Sequence, residues 1–226
     1  MRLLITLIFI PLLSLFSYAA SANSSDWELE KEDEDYQLKI FIREIKESDL
    51  NEFKGEMLTD ASLKSIVALL MDSEAAPKWM HKCEKFEVLD HISDTHNIIY
   101  FVNGAPWPVS DRDAIISSEL TQDPQSLAVK INVKVLPEYL PKDDDYVRIP
   151  RMVGFWEFVP QADGQTLVRY QIHAEPGGSL PAWLANSVVV DTPYYTMTNM
   201  ADMLKREKYK TADISFIKNA PTAITQ

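Results

Sequence analysis

The chain holds one cysteine and six glycines in 226 residues, and only 22 basic side chains against 34 acidic ones. A single thiol, Cys83, closes no internal disulfide and builds no multi-cysteine metal site. Gly55, Gly104, Gly154, Gly164, Gly177 and Gly178 form neither G-x-G-x-x-G nor G-x-x-x-x-G-K-[ST], so the common nucleotide loops are missing. A formal net charge of −12 leaves no broad cationic footprint, and nucleic acid is excluded as a partner. The four histidines assemble no metal set. His91 and His96 do not share a helix face, and nothing downstream completes His81 and Cys83. Ser179 follows two glycines, but Pro181 breaks the G-x-S-x-G elbow. No catalytic residue, cofactor or metal is assigned.

What is present begins with a leader. Arg2 precedes an uncharged stretch over residues 3–16 and then the small-residue run Ala19-Ala20-Ser21-Ala22. That is the pattern of a secretory signal, with cleavage after Ala22. Its apolar part falls short of the about 20 residues that a membrane span needs. The division expected is a signal peptide over 1–22, one folded domain over 23–210, and a loose tail over 211–226. The exported chain would rest on its core, having no disulfide.

Strand patterns fall at residues 27–31, 36–43 and 53–58, the first two split by the acidic turn Glu32-Asp33-Glu34-Asp35. Asp60 is positioned to cap a helix over 61–71, and a shorter helix follows at 75–80. Further strands read at 86–90, 97–102, 113–121, 127–136, 151–159 and 165–174, with short turns between them that imply a mostly antiparallel sheet. In the last strand Val168, Tyr170, Ile172 and Ala174 share one face and Arg169, Gln171 and His173 the other. The strand at 151–159 is apolar on both faces and is expected to be covered on both.

Ser179 and Pro181 open a long helix in which Trp183, Ser187, Val190, Tyr194, Met197, Ala201 and Leu204 make one stripe. Pro193 interrupts it, removing the hydrogen bond to the Val189 carbonyl at a cost of roughly 3 kcal/mol. A bend that wraps the helix round a sheet and a weak point that lets half of it lift are both consistent with that position. Five Trp, nine Tyr, nine Phe and eight Met provide enough bulk to line a hollow, although patterning alone does not separate a hollow from a filled core. Asp111-Arg112-Asp113 reads either as an ion-paired turn or as a cation placed for a lipid phosphate. Cys83, between charged neighbours, reads as a small half-buried side chain rather than a reactive thiol.

Four segments, in order, carry a family resemblance. They are Ala76-x-x-Trp79-Met80-x-x-Cys83 with Phe86-x-Val88-Leu89, then Pro106-Trp107-Pro108-Val109-Ser110-Asp111-Arg112-Asp113. After these come Arg151-x-x-Gly154-x-Trp156-x-x-x-Pro160 with Val168-x-Tyr170, and finally Glu175-Pro176-Gly177-Gly178-Ser179-Leu180-Pro181-Ala182-Trp183-Leu184-x-Asn186. Together they resemble the START domain, the lipid-transfer module related to the steroidogenic acute regulatory protein. The resemblance implies an α+β helix-grip fold: a curved antiparallel sheet round a long C-terminal helix, with an internal hydrophobic cavity. It implies lipid contacts at Trp107, Arg112, Trp156, Tyr170, Trp183, Val190, Tyr194 and Met197, and a gate at Pro193. The sequence departs from some sterol-carrying relatives, which place a second Arg where Ser118 stands, paired with an acid on the preceding strand; here Ile98-Ile99-Tyr100-Phe101 carries none.

The function expected is non-catalytic binding or transfer of a lipid or sterol-like ligand, by a monomer in transient contact with a membrane, exported to a periplasm or secreted. An enzyme on the same architecture and an accessory docking protein are the alternatives. If the leader is read correctly, N-terminal sequencing of the protein recovered from cells starts at or near Asn23. Full-length chain held in the membrane fraction would restore the reading of an uncleaved anchor.

Overall fold

The computed structural model describes residues 26–46, 48 and 50–220, apart from the side chains of Ala182, Trp183 and Asn186. The expected leader and the last six residues of the expected tail lie outside the described residues. Ten strands form one sheet: β1 (Glu28–Asp33), β2 (Leu38–Arg43), β3 (Glu52–Thr59), β4 (Cys83–Ser93), β5 (His96–Asn103), β6 (Arg112–Gln122), β7 (Val129–Val135), β8 (Val147–Arg148), β9 (Arg151–Pro160) and β10 (Thr166–Glu175). Helix α1 (Leu63–Met71) and a 3-10 turn (Ala76–Lys78) link β3 to β4. Helix α2 (Ala182–Leu204) and the short α3 (Glu207–Lys210) follow β10. The strand order is β1-β2-β3-β10-β9-β7-β6-β5-β4, antiparallel throughout, with β8 paired in parallel to β6. This is the helix-grip arrangement, in which the sheet curls round α2.

Local chemistry explains most of the elements. Ser62, not Asp60, caps α1: its hydroxyl accepts from the Ser65 N–H at 3.2 Å, and Asp60 accepts instead from the Gln165 side chain. A serine in that place contributes about 1 kcal/mol. The alternation of β10 is as expected. Val168 and Ile172 are buried on the inner face, whereas Arg169 lies outside between Glu56 and Glu157. Gly154 on β9 has no room for a Cβ, because the Gln171 carbonyl and Ile172 of β10 occupy its place. Strand β9 is not covered on both faces, contrary to expectation. Trp156 and Phe158 are buried inside, but Val153 is 55% exposed on the outside, and Phe155 is covered only by Lys130, 4.0 Å from its ring centre.

The solid core sits at one end. Met197, Met200, Met203 and Leu204 of α2 pack with Leu38, Ile40 and Met57 of β2 and β3 and with Ile66 and Leu69 of α1. A Cβ on Gly55 would run into the Met197 thioether, so helix and sheet touch there at backbone distance. The expectation of a loose tail fails for residues 211–220. Ile217 is buried in this core, Asn219 accepts from the Lys64 N–H, and Gln122 bonds the backbone of Lys218 on both sides. Ile217 and the partly buried Ile214 and Phe216 that pack against the core with it lack helical periodicity, which is why the segment read as loose.

Elsewhere, one buried ion pair fixes β8 to the start of β6. Asp113 accepts from Arg148 Nε at 2.9 Å and from Nη2 at 2.8 Å. The remaining Arg148 donors reach the carbonyls of Pro137, Leu140 and Pro141, so the guanidinium staples the β7–β8 connection to β6. Removing one member of such a pair leaves an uncompensated buried charge. Asp113→Ala is expected to lower the unfolding free energy in denaturant titration by about 3–5 kcal/mol. A loss below about 1 kcal/mol, the value of an exposed pair, would show that other contacts hold the connection.

Candidate functional site

Because side chains alternate along a strand, every second residue of β4 to β10 faces the concave side. Phe86, Ile99, Phe101, Ile116, Leu120, Ile131, Val133, Met152, Trp156, Tyr170 and Ile172 meet there around a hollow. It has two lobes, of about 170 Å³ and about 150 Å³, which share Met80, Phe101, Met152, Tyr170 and Ile172 as common wall. The first lobe runs towards the β4–β5 turn at Asp94 and Thr95 and the end of α1 at Leu70 and Met71. The second runs towards the β5–β6 loop at Gly104 and Ala105 and the β10–α2 loop at Pro176 and Leu180, under a roof of Leu184, Ser187, Val188, Thr192 and Thr196 from α2. Together they reach the lower edge of the roughly 300–1,000 Å³ usual for small-molecule sites. A larger groove of about 570 Å³, bordered by Asp35, Asp60, Gln165, Lys205 and Lys210, is open and polar and lies outside the grip of the sheet.

Three of the expected contact residues, Trp156, Tyr170 and Arg112, border the hollow. Trp156 lines the first lobe, and Tyr170 lies against both, their rings stacked at 3.8 Å and 6°. Trp156 also meets Trp79 and Phe158, each at 6.2 Å, which ties the cavity wall to the solid core. Burial pushes the Tyr170 hydroxyl well above the ordinary tyrosine range, so it stays protonated.

Arg112 is brought to the second lobe, but not as an ion-paired turn. Its predicted partner Asp113 points to the opposite face of β6 and is taken by Arg148; Asp111 accepts from the Ala105 N–H at 2.8 Å. Arg112 is 7% exposed, and its Nη1 donates to the Ser110 carbonyl. Its buried Nε has no partner among the described residues. Burial draws its pKa down against the field of Asp111, yet a guanidinium remains charged at any physiological pH.

Four of the other expected contacts, Trp107, Val190, Tyr194 and Met197, need correction. Trp107 is 92% exposed on the β5–β6 loop and faces solvent, not the cavity. The Trp183 side chain lies outside the described residues. Val190 lines neither lobe. Tyr194 turns to β1, donating to Asp33 at 2.8 Å beneath Lys31, 3.4 Å from its ring centre. Met197 belongs to the solid core. Pro193 is buried within α2, between cavity-lining Thr192 and core Met197. The helix therefore has two inward faces. The stripe read from the sequence follows the one that packs on β2 and β3; the one over the cavity runs through 184, 188, 192 and 196. Two threonines on that second face hid it from any count of apolar residues. A repeat at steps of four was the signal available. Cys83 is buried, its thiol 3.6 Å from the Lys85 carbonyl, and desolvation raises it to about 11, which makes it a small core side chain.

Comparison with known proteins bears on this cavity. The START domain family model matches residues 12–208. An uncharacterised protein of Pseudomonas aeruginosa is 32% identical over 187 residues, covering 83% of this chain and 91% of its own. The crystal structure of a STAR-related lipid transfer protein fragment from Xanthomonas axonopodis is 38% identical, with a TM-score of 0.73 over 80% of this chain and all of that one. Human StAR-related lipid transfer protein 5 has the same fold at 16% identity, with a TM-score of 0.71 over 81% of this chain and 88% of its own.

Proposed function

Because this chain belongs to the START domain family, we propose that it binds a lipid or similar hydrophobic ligand in the cavity under α2 and carries it without chemical change, as a monomer in an exported compartment. The observation that carries the reading is the two-lobed hollow itself: an apolar wall from seven strands, closed by one helix. A solid core would leave no free space beside Trp156 and Tyr170; here both border the hollow as well as each other. Transient contact with a membrane is supported by Trp107, held bare between Pro106 and Pro108 on the loop whose base, Gly104 and Ala105, borders the second lobe. An indole suits the interface between headgroups and water. The leader over residues 1–22 supports export.

Entry of a ligand requires part of the roof to move. Most of the roof, Leu184, Ser187, Val188 and Thr192, precedes Pro193, with Thr196 one turn beyond it, and α2 from Met197 onward is bedded in the solid core. Pro193 has no N–H to offer the Val189 carbonyl, so the ladder is weakest where the two halves meet. The N-terminal half is the moving part in this reading.

Native mass spectrometry of the purified protein, followed by extraction, is expected to show one apolar molecule per chain, recovered with its mass unchanged after incubation. Protein that stays empty when offered lipid vesicles would sink the reading, and a ligand returned altered in mass would point to an enzyme. Pro193→Ala is expected to raise the melting temperature while slowing transfer of a fluorescent lipid between vesicles. A variant that is stabilised but exchanges lipid at the original rate would reduce the proline to a bend.

A further inference from the structure

The charged groups lining the second lobe have one sign. Arg112, Lys82 at the rim and His81 are its ionisable lining besides Tyr170; among the described residues no aspartate or glutamate borders it. In a chain with 34 acidic and 22 basic side chains, that selection runs against the composition. Burial draws the His81 pKa below its ordinary value, which leaves Arg112 and Lys82 as the fixed cations, and the carboxylates near these side chains are hydrogen-bonded elsewhere. Asp113 is held by Arg148, Asp111 by the Ala105 N–H, and Asp191, whose field acts on His81, by the Ser187 hydroxyl at 2.8 Å. Arg112 is thus more than nine-tenths buried, keeps one orphaned donor, and borders the hollow with no ion-pair partner, although it lies in the field of Asp111. A buried guanidinium without a partner is costly, and its planar fork fits a carboxylate or phosphate.

We propose that the ligand is a single-chain amphiphile with an acidic head group, bound by Arg112 in the second lobe with its chain running past Tyr170 into the first. The proposal rests on the carriage reading above and gives it a ligand class. The size of the hollow agrees with one chain, since both lobes together only reach the lower edge of the small-molecule range. The two lobes differ in charge more than in polarity. Arg112 and Lys82 border the second only, together with the hydroxyls of Ser187, Thr192 and Thr196, whereas the first has His91, Asp94, Asn97 and Ser118 in its lining beside Ile116, Leu120, Ile131 and Val133.

Oleate, oleyl phosphate and oleyl alcohol share one chain and differ only in the head, so competition of each against Nile red on the purified protein separates head from chain. At least one acid is expected to bind tenfold or more tightly than the alcohol, and the better of the two identifies the head as carboxylate or phosphate. Arg112→Gln should abolish that preference while leaving the alcohol unchanged, and Arg112→Lys should keep part of it. Equal affinity for acids and alcohol in the unsubstituted protein overturns the head-group inference, though Nile red binding would leave the cavity reading standing. If neither Nile red nor any of the three binds, both fall. Arg112→Gln weakening acids and alcohol alike, with a lower melting temperature, would make Arg112 structural and also overturn the proposal. Should that variant not fold, the comparison on the unsubstituted protein and a weakened acid preference in Lys82→Gln decide the matter.

Discussion

Strand β6 sends two opposite charges to opposite faces of the sheet, and the pairing of one of them shapes everything around the cavity. Asp113 faces outward and is closed off by Arg148, which at the same time gathers the carbonyls of the β7–β8 connection. Arg112 is its chain neighbour, but the pleat turns it inward. Proximity along the chain therefore does not become an ion pair. The carboxylate neutralises a remote arginine, and the adjacent guanidinium is left for whatever occupies the hollow. Tyr100, beside the same pair, is raised to about 12 by burial first and by Asp113 second.

The molecule divides its packing unevenly. Beyond Pro193, α2 lies on Gly55 at backbone distance and is enclosed by methionines and leucines from three directions. Before it, the same helix spans open space with leucine, valine, serine and threonine. Dispersion contacts are lost along the hollow, and the dense end compensates. That asymmetry gives a physical sense to a proline in mid-helix. The break falls where the helix passes from covering a cavity to filling a core.

Periodicity made the sheet legible in the sequence. Alternation along 165–174 identified the last strand and the inner face that carries Tyr170, whereas 151–159 read as a strand apolar on both faces, and Trp156 as a contact came from the family resemblance. The outer coverage of β9 was not legible, because Val153 and Phe155 are apolar whether or not anything lies over them. Strand β8 was missed, since two residues held by a parallel pair to β6 have no period to detect. On α2, hydrophobic counting found the face buried against β2 and β3 and passed over the hydroxyl-bearing face above the cavity.

By itself the sequence determined the antiparallel sheet, the long C-terminal helix and its proline, the order of the family's motifs, and the exclusion of nucleotide loops and disulfides. These depend on residue type and spacing along the chain, which short-range sterics and alternation convert directly into local structure. Tertiary structure alone decided that Trp107 stands in solvent, that Tyr194 binds β1, that Ile217 anchors the chain after α3, and that a hollow remains where the core might have closed. Each of these turns on which surfaces meet across distances of many residues. Arg112 shows the difference most plainly: its charge is written in the sequence, but its lack of an ion pair follows from the fold, in which Asp113 lies on the other face of β6 and is taken by Arg148, 36 positions from Arg112.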